Sequence, residues 1–497
     1  METNYDVVVI GAGTAGILFA QRMGMQGYSV AVFDRLSEER QGERLGVFHT
    51  DLEHFEPYGV PIPQPGDEDW VGRFDFGITK SAFDHYPQRA DYPFLVLKFK
   101  PFLKRIRSWA SETAKVSFFF EASFEDFVRG ENGEVRGAVI NMGGQSISVG
   151  ARLVADCSGI PSVARRKMQN SRVETFPITP RDMFYVILHY VKLQNPGKPF
   201  PADIPLSEQY PDGIVNYPTG YAQYKSWVGS TEEPDGYLFG TGANLSYEYA
   251  LKCHDEFRSI IKALPYEECE DNEIGKSFGR KGRWEKGVTP YHRAPYSMVD
   301  SGFVCLGDTA CMTKPFSGEG ISSGWVGVKM AAEVCGKAMR DGAYPTEDAL
   351  WEYNVRYNTS QGADFANVTA TLVNAVDCTA EENEYEFKKG IVFTGKLLTL
   401  TNRTFSADIP VPDAIALVCK VVGGLVTGNI SFSSLKNLLK GVLCGASLKG
   451  HYKKFPKTTA GYEAWCKKAE ALWTKTGNMA DVVEKLEARK AAQTASK

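Results

Sequence analysis

The chain has 497 residues, 43% of them hydrophobic and 23% charged, with a formal net charge of −4. This is the composition of a globular protein of two or three domains, and it excludes collagenous, disordered and disulfide-framework classes. The ten cysteines are scattered without a C-x-x-C pair, which argues against an iron–sulfur cluster or a structural zinc site and predicts reduced, mostly buried thiols. No apolar run reaches the ~18 residues of a membrane span, and METNYDVVVIGAG enters its first strand without a basic n-region, so a cytoplasmic protein is expected. From Pro410 onward there are fourteen Lys/Arg against six Asp/Glu, a local balance of +8 that leaves −12 for the rest. A solvated helical face accounts for that asymmetry, and a surface for anionic lipid or an acidic partner is the alternative. No nucleic-acid partner is expected.

An apolar strand, Val7 to Ile10, runs into Gly11-Ala12-Gly13-Thr14-Ala15-Gly16 and a helix, and a second strand, Tyr28 to Phe33, ends on Asp34. A strand, a G-x-G-x-x-G turn, a helix and an acid about twenty residues on make up a dinucleotide-binding unit. Gly11 suits the tight turn, Gly13 lets backbone N–H groups approach a pyrophosphate, and Gly16 lets helix and strand pack closely. Asp34 is placed to accept from a ribose diol, and Arg35 just beyond it is placed to reach the cofactor.

A short amphipathic helix is expected to end near Tyr58, residues 61–75 read as a surface loop, and Gly77 to Phe83 as a short strand carrying Lys80. Phe94–Phe99 reads as a strand and Pro101–Ala110 as a helix. A β-meander follows over Val116–Val154, with hairpin turns at Asn132-Gly133 and Gly143-Gly144. The strand after it ends Asp156-Cys157-Ser158-Gly159, a second close approach of chain to cofactor.

Strands are expected at Phe184–Lys192, Gly213–Tyr217, Ala222–Val228 and Tyr237–Thr241, then a helix over Tyr247–Leu264. Gly240-Thr241-Gly242 lacks the third glycine of a nucleotide loop and reads as a strand turn, so no dedicated nicotinamide domain is expected. Gly302–Asp308 is a buried strand ending in Gly307-Asp308. Pro315-Phe316-Ser317-Gly318-Glu319-Gly320-Ile321 follows, then a helix over about Ser322–Arg340. Beyond Tyr344 the pattern is helical, and Pro412–Val426 and Leu435–Leu448 are apolar with Lys420, Lys436 and Lys440 interspersed. A core-packed amphipathic pair is the plainer reading of those two helices; a lid or an interfacial helix is the alternative.

The motifs at 11–16, 156–159 and 307–321 occur in the order found in flavoproteins resembling para-hydroxybenzoate hydroxylase. Their spelling, with Gly287-Val288-Thr289-Pro290 ahead of the Gly-Asp strand, most resembles the geranylgeranyl reductase family, related to flavin-dependent halogenases. The resemblance covers roughly residues 1–345. It implies an α/β fold: a Rossmann-like FAD-binding domain of the glutathione reductase/para-hydroxybenzoate hydroxylase type, an inserted antiparallel β-sheet substrate domain and a helical C-terminal region. The corresponding boundaries are 1–170 with 286–345, 171–285, and 346–497.

By that resemblance FAD is held by Gly11, Gly13, Thr14, Ala15 and Gly16 at the pyrophosphate, and by Asp34 at the adenosine ribose. Asp308 falls at the ribityl chain and phosphates, Pro315, Gly318, Gly320 and Ile321 along the isoalloxazine, and Arg44 and Lys98 near FAD, with Asp156, Gly159 and Gly307 as further cofactor-binding candidates. The chain departs from reductases in lacking a cysteine in Arg44-Leu45-Gly46-Val47, and around Gly220-Tyr221-Ala222-Gln223-Tyr224 it keeps only the tyrosine of their substrate-face strand. It lacks the halogenases' Trp-x-Trp-x-Ile-Pro.

The reaction this implies is hydride transfer between flavin N5 and an apolar or conjugated small molecule, most simply reduction of a C=C bond. The electrons would come from NAD(P)H, a flavin reductase or ferredoxin. Candidate catalytic residues are Tyr221, Tyr224, His292 and Cys311, with Lys314 near the ring. One alternative keeps the fold and makes the protein a monooxygenase or halogenase acting through a C4a-hydroperoxide, with Lys80 receiving hypohalous acid. The other is an electron carrier docking a redox partner or membrane quinone through its basic C-terminal region, where peripheral membrane contact is also expected.

Overall fold

In this computed structural model the described residues are 2–43, 45–78, 88–193, 214–217, 224–231, 233, 236–261, 266–391, 395–406, 408 and 411–495. The chain begins β1 (Asn4–Ile10), α1 (Thr14–Met25), β2 (Val30–Phe33), β3 (Val47–Asp51), β4 (Trp70–Ile78), β5 (Gln88–Lys98) and α2 (Phe99–Thr113). β6 (Val116–Phe119) follows, then a meander of β7 (Ala122–Arg129), β8 (Val135–Met142) and β9 (Gln145–Asp156); β6, expected as the meander's first strand, pairs parallel with β2 instead. The middle holds β10 (Met183–Leu193), β11 (Ile214–Tyr217), β12 (Tyr224–Ser230), β13 (Gly236–Ala243), α3 (Tyr247–Ile261), β14 (Tyr266–Glu268), the short α4 (Glu273–Ser277) and β15 (Arg283–Pro290). After β16 (Val299–Asp300) and β17 (Phe303–Cys305) the chain is helical. These helices are α5 (Ile321–Ala338), α6 (Glu347–Thr359), α7 (Gln361–Ala375), α8 (Ala380–Lys389), α9 (Gly395–Thr404), α10 (Val411–Val426), α11 (Phe432–Tyr452), α12 (Tyr462–Thr476) and α13 (Met479–Ala495).

The first sheet has the order β16-β17-β9-β1-β2-β6, in which β17, β9, β1, β2 and β6 run parallel. Val7, Val8 and Val9 are wholly buried, as a strand covered on both faces requires. Register sets Ile10 level with Phe33 on one side and Asp156 on the other, and Asp156 level with Cys305. The carboxyl ends of β1, β9 and β17 therefore share one edge, where open α/β sheets bind ligands. β9 serves two sheets' worth of pairing: Gln145–Gly150 is antiparallel to β8, and Gly150–Asp156 is parallel to β1.

The second sheet has the order β14-β10-β13-β12-β11-β4-β5-β3, with β15 on β10, and is antiparallel apart from the β11–β4 pair. This sheet draws strands from both sides of the expected boundaries. β3, β4 and β5 lie within residues 1–170 yet belong to this sheet, and β15 crosses residue 286 to pair with it. Residues 47–51 are a strand followed by short 3-10 turns where an amphipathic helix was expected, and β4 begins inside the expected 61–75 loop. Aromatic and β-branched residues at 47–50 suit pairing with β5, which a local helical period does not register. Gly240 and Gly242 lie inside β13 rather than in a turn, and added Cβ atoms there would strike the rings of Trp227 and Phe184.

Candidate FAD site

At the start of α1, two glycines of the first motif have a steric reason within the protein and the third leaves space. Gly11 sits at φ +105°, where a Cβ would meet the Cys157 carbonyl at 2.4 Å, and at Gly16 a Cβ would meet the Gly11 carbonyl at 2.0 Å. Around Gly13 a Cβ would meet nothing within 4 Å. Gly13 is also the N-cap of α1, with no side-chain cap and no acid in the first turn. The first N–H groups of α1, from Thr14 onward, thus carry the helix's partial positive charge with no protein side chain to offset it, beside the open space at Gly13, which is an anion cradle.

Asp34 closes this end. Its Oδ2 accepts the Ala12 N–H at 2.8 Å and its Oδ1 the Leu36 N–H at 2.9 Å. The carboxylate ties the glycine turn to the end of β2, is half-buried, and keeps lone pairs for a diol. Arg35 beside it is exposed. Lys98, the last residue of β5, is half-buried opposite Val47.

Asp156 has a structural duty. Buried at the end of β9, it accepts from the backbone N–H groups of Ser158 (2.9 Å), Ala164 (3.0 Å) and Arg165 (2.6 Å), and so shapes the loop containing Gly159. The Gly159 carbonyl accepts from Thr309 Oγ1 at 3.0 Å, which joins that loop to the Gly307-Asp308 turn. A Cβ on Gly307 would be 2.9 Å from Ala15 Cβ, and Trp325 Nε1 donates to the Thr14 carbonyl at 3.3 Å. The starts of α1 and α5 are therefore locked together across the Gly-Asp turn. Burial pushes the Asp308 carboxyl up, with the Thr313 hydroxyl (3.1 Å) partly opposing the shift. A Cβ on Gly320 would lie 3.1 Å from Asp308 Oδ1, so glycine there lets the carboxylate reach the loop.

The loop 314–321 has an open edge and a charged back. Pro315, Gly318, Gly320 and Ile321 are half-exposed, and Gly320 caps α5 without a side-chain cap or an acid in the first turn. Behind them Lys314 is buried, with its Nζ against Asp51 and 3.0 Å from Glu319 Oε2. Ser322 Oγ also donates to Asp51, and Ser317 Oγ to Glu319 at 3.0 Å. The backbone of Lys314 clamps the same turn, since its N–H donates to the Glu319 carbonyl (3.0 Å) and its carbonyl accepts from Gly318 (2.9 Å).

Burial drives all three charges toward neutrality, but the attraction within the cluster decides two of them. Lys314 is raised because Asp51 and Glu319 outweigh its desolvation, and Asp51 is lowered because Lys314 outweighs its own. Glu319 is raised, since burial and the charge of Asp51 exceed the help it gets from Lys314. Burial also lowers His49, beside this cluster, to about 4.

His292 packs its ring 4.5 Å from Phe176, with Nδ1 2.8 Å from the Arg293 carbonyl, and burial lowers its pKa. A carbonyl only accepts, so Nδ1 carries the proton of the neutral ring. Cys311 is buried in the left-handed region (φ +52°), and burial pushes its thiol up to about 12. Such a thiol is inert. Arg44, Lys80 and Tyr221 lie outside the described residues, and of Tyr224 only its place at the start of β12 is described. Sequence reading left out Asp51, and Thr289, whose buried Oγ1 lacks a partner and lies 3.8 Å from where a Gly318 Cβ would be. The Asp51 partnership has no local signal, whereas a carboxylate between two glycines five residues after a lysine was a usable sign for Glu319.

Two uncapped helix starts, an open space at Gly13 and the orphaned Thr289 hydroxyl fit FAD. The FAD binding domain family model matches residues 4–341. The chain belongs to this family. It is 22% identical to a digeranylgeranylglycerophospholipid reductase of Sulfolobus acidocaldarius over 493 residues, covering 95% of this chain and 98% of that protein. It is also 22% identical to digeranylgeranylglycerophospholipid reductase 1 of Methanosphaera stadtmanae, over 85% of this chain and 94% of that one. Among solved structures, a geranylgeranyl bacteriochlorophyll reductase-like protein from Thermoplasma acidophilum superposes with a TM-score of 0.59 at 16% identity, covering 88% of this chain and 99% of that one. A flavin-dependent brominase gives 0.56 at 16%, covering 85% and 99%. The protein is an FAD-dependent oxidoreductase of the para-hydroxybenzoate hydroxylase-like fold, and its similarity to reductases extends beyond residue 345, where the sequence motifs stop.

Proposed function

We propose that this FAD-dependent oxidoreductase reduces C=C bonds of an apolar, polyunsaturated small molecule, using electrons from an external donor. The observation that carries the reading is an apolar wall: Phe316 of the flavin loop is buried with Val47, Tyr92, Phe94, Val96 and Val368. That wall is closed packing that joins the second sheet and α7 to the loop, and it gives the loop apolar surroundings in keeping with a hydrocarbon substrate. The nearly full-length similarity to digeranylgeranylglycerophospholipid reductases supports the choice of reduction.

Bound FAD supplies the hydride chemistry. Thr14 and Ala15 would hold the pyrophosphate through their N–H groups in the space that Gly13 leaves open, Asp34 the ribose, and Asp308 the ribityl chain. The amides of Gly320 and Ile321 at the start of α5 would favour negative charge at the ring edge. Lys314 is a positioning residue, fixing that loop by tying Glu319 to Asp51. The proton that completes the reduction is assigned to Tyr221. His292 presents an unprotonated Nε2 at neutral pH, and the Cys311 thiol is enclosed.

The test is an anaerobic incubation of reduced holoprotein with polyprenyl acceptors, followed by mass spectrometry. Each reduced bond adds two hydrogens, and Tyr221→Phe should lower product formation at unchanged FAD content. A hydroxylated or halogenated product formed only with O2, and no anaerobic turnover, would replace the reductase with an oxygenase.

A further inference from the structure

Among the described residues, eight of the nine exposed large apolar side chains lie between 415 and 443. In α10 they are Ile415, Val418, Val422 and Val426, spaced three, four and four apart, so they form one stripe along the helix. The opposite side holds Gly424, where a Cβ would meet Tyr385 at 2.7 Å and Ile430 at 2.8 Å. In α11, Gly441 and Gly445 face α7, where Cβ atoms would meet the Thr371 carbonyl at 2.8 Å and Asn367 Oδ1 at 2.4 Å. Phe432, Leu439 and Leu443 project from the other side and are 73%, 55% and 66% exposed.

The charge of this stretch has one sign. Residues 414–462 contain seven lysines and no aspartate or glutamate. Lys449 is buried against Asp364 and Asp408, whereas Lys420, Lys436, Lys440, Lys453, Lys454 and Lys457 are exposed and form no ion pair among the described residues. By helical angle Lys436 and Lys440 border one edge of the Phe432–Leu439–Leu443 stripe.

We propose that α10 and the outer side of α11 form a membrane-interface element that seats the protein on an anionic bilayer. Aliphatic stripes bordered by lysines match a lipid surface, where the apolar groups enter the acyl boundary and the ammonium groups reach the phosphates. Protein interfaces have the opposite composition, enriched in Tyr, Trp and Arg and depleted in Lys, and a second copy would bring lysines against lysines. Among the described residues no helix is long and apolar enough to cross a membrane, so the element lies on the bilayer. This inference does not depend on the reaction proposed above.

The experiment is flotation of the FAD-loaded full chain with vesicles of phosphatidylcholine alone or mixed with phosphatidylglycerol. The protein should float with the mixed vesicles, weakly with the neutral ones, and less as salt rises. The double variant Val422→Glu/Leu443→Glu should lose binding at unchanged FAD content and melting temperature. Lys436→Ala/Lys440→Ala should weaken binding to mixed vesicles about fivefold per lysine, without affecting the neutral ones. The proposal is overturned if the wild type does not float, if it floats as well after the glutamate substitutions, or if light scattering shows a dimer that those substitutions split without lipid.

Discussion

The two ends of the FAD cradle are built on opposite principles. At the first end, Gly11, Gly13 and Gly16 act by lacking side chains, and backbone amides face open space. At the other, the start of α5 is equally uncapped, but the loop before it is held by its own buried Lys314 and Glu319 and by Asp51 from a distant part of the chain. The first end thus rests mainly on sterics, while the second is governed by charge. The Gly-Asp turn at 307–308 joins them mechanically through Ala15 and Trp325.

Substitutions should separate the two modes, and the largest effect belongs to the steric end. Gly16→Ala puts a Cβ 2.0 Å from a backbone oxygen, an overlap only backbone movement relieves. The expected loss exceeds about 4 kcal/mol, read as unfolded or flavin-free protein on purification. A yellow, normally melting variant would break the steric account.

At the charged end, Lys314→Met leaves Asp51 and Glu319 buried without their cation. Breaking such a buried pair costs about 3–5 kcal/mol, measurable by denaturant titration. The loss should shrink as acid neutralises the carboxyls, whereas that of the glycine variant should not.

A smaller effect concerns Glu319, where each tenfold change in proton affinity between the folded and unfolded chain is worth about 1.4 kcal/mol. Its folded pKa lies above 4.5, so its contribution to stability is complete below 4.5 and is lost as pH rises through the folded value. Asp51 runs the other way: its folded pKa lies below 3.8, so its contribution holds above 3.8 and is lost in stronger acid. Glu319→Gln should therefore remove a decline in melting temperature that the wild type shows upward from pH 4.5, and keep the loss in acid. Identical pH profiles for the two proteins would refute the assignment.

The smallest change is expected for Thr289→Val, which deletes a buried hydroxyl without a partner. Stability should stay within about 1 kcal/mol of wild type or rise, while FAD binding weakens severalfold by equilibrium dialysis. Unchanged FAD affinity would take Thr289 out of the cradle.

The glycine end was legible in the sequence because its determinants are local: a strand, a fixed spacing and an acid lie within thirty-four residues. Asp308 and the glycines at 318 and 320 were legible for the same reason. The charged back of the loop was not, because Asp51 and Lys314 are 263 positions apart and meet only once β3 joins the second sheet. The expected helix before Tyr58 hid that strand, since periodicity over ten residues cannot register a partner such as β5.

The sequence by itself determined the FAD family, the parallel sheet, the meander and the helical C-terminal third, through short motifs and their order along the chain and through patterns within single elements. Tertiary structure decided which strands build the second sheet, why Asp156 faces backbone amides, and which sides of α10 and α11 stay uncovered. Those outcomes depend on what packs against each element. A helix carries its apolar stripe in its sequence, but whether core or solvent meets that stripe is set by neighbours hundreds of residues away.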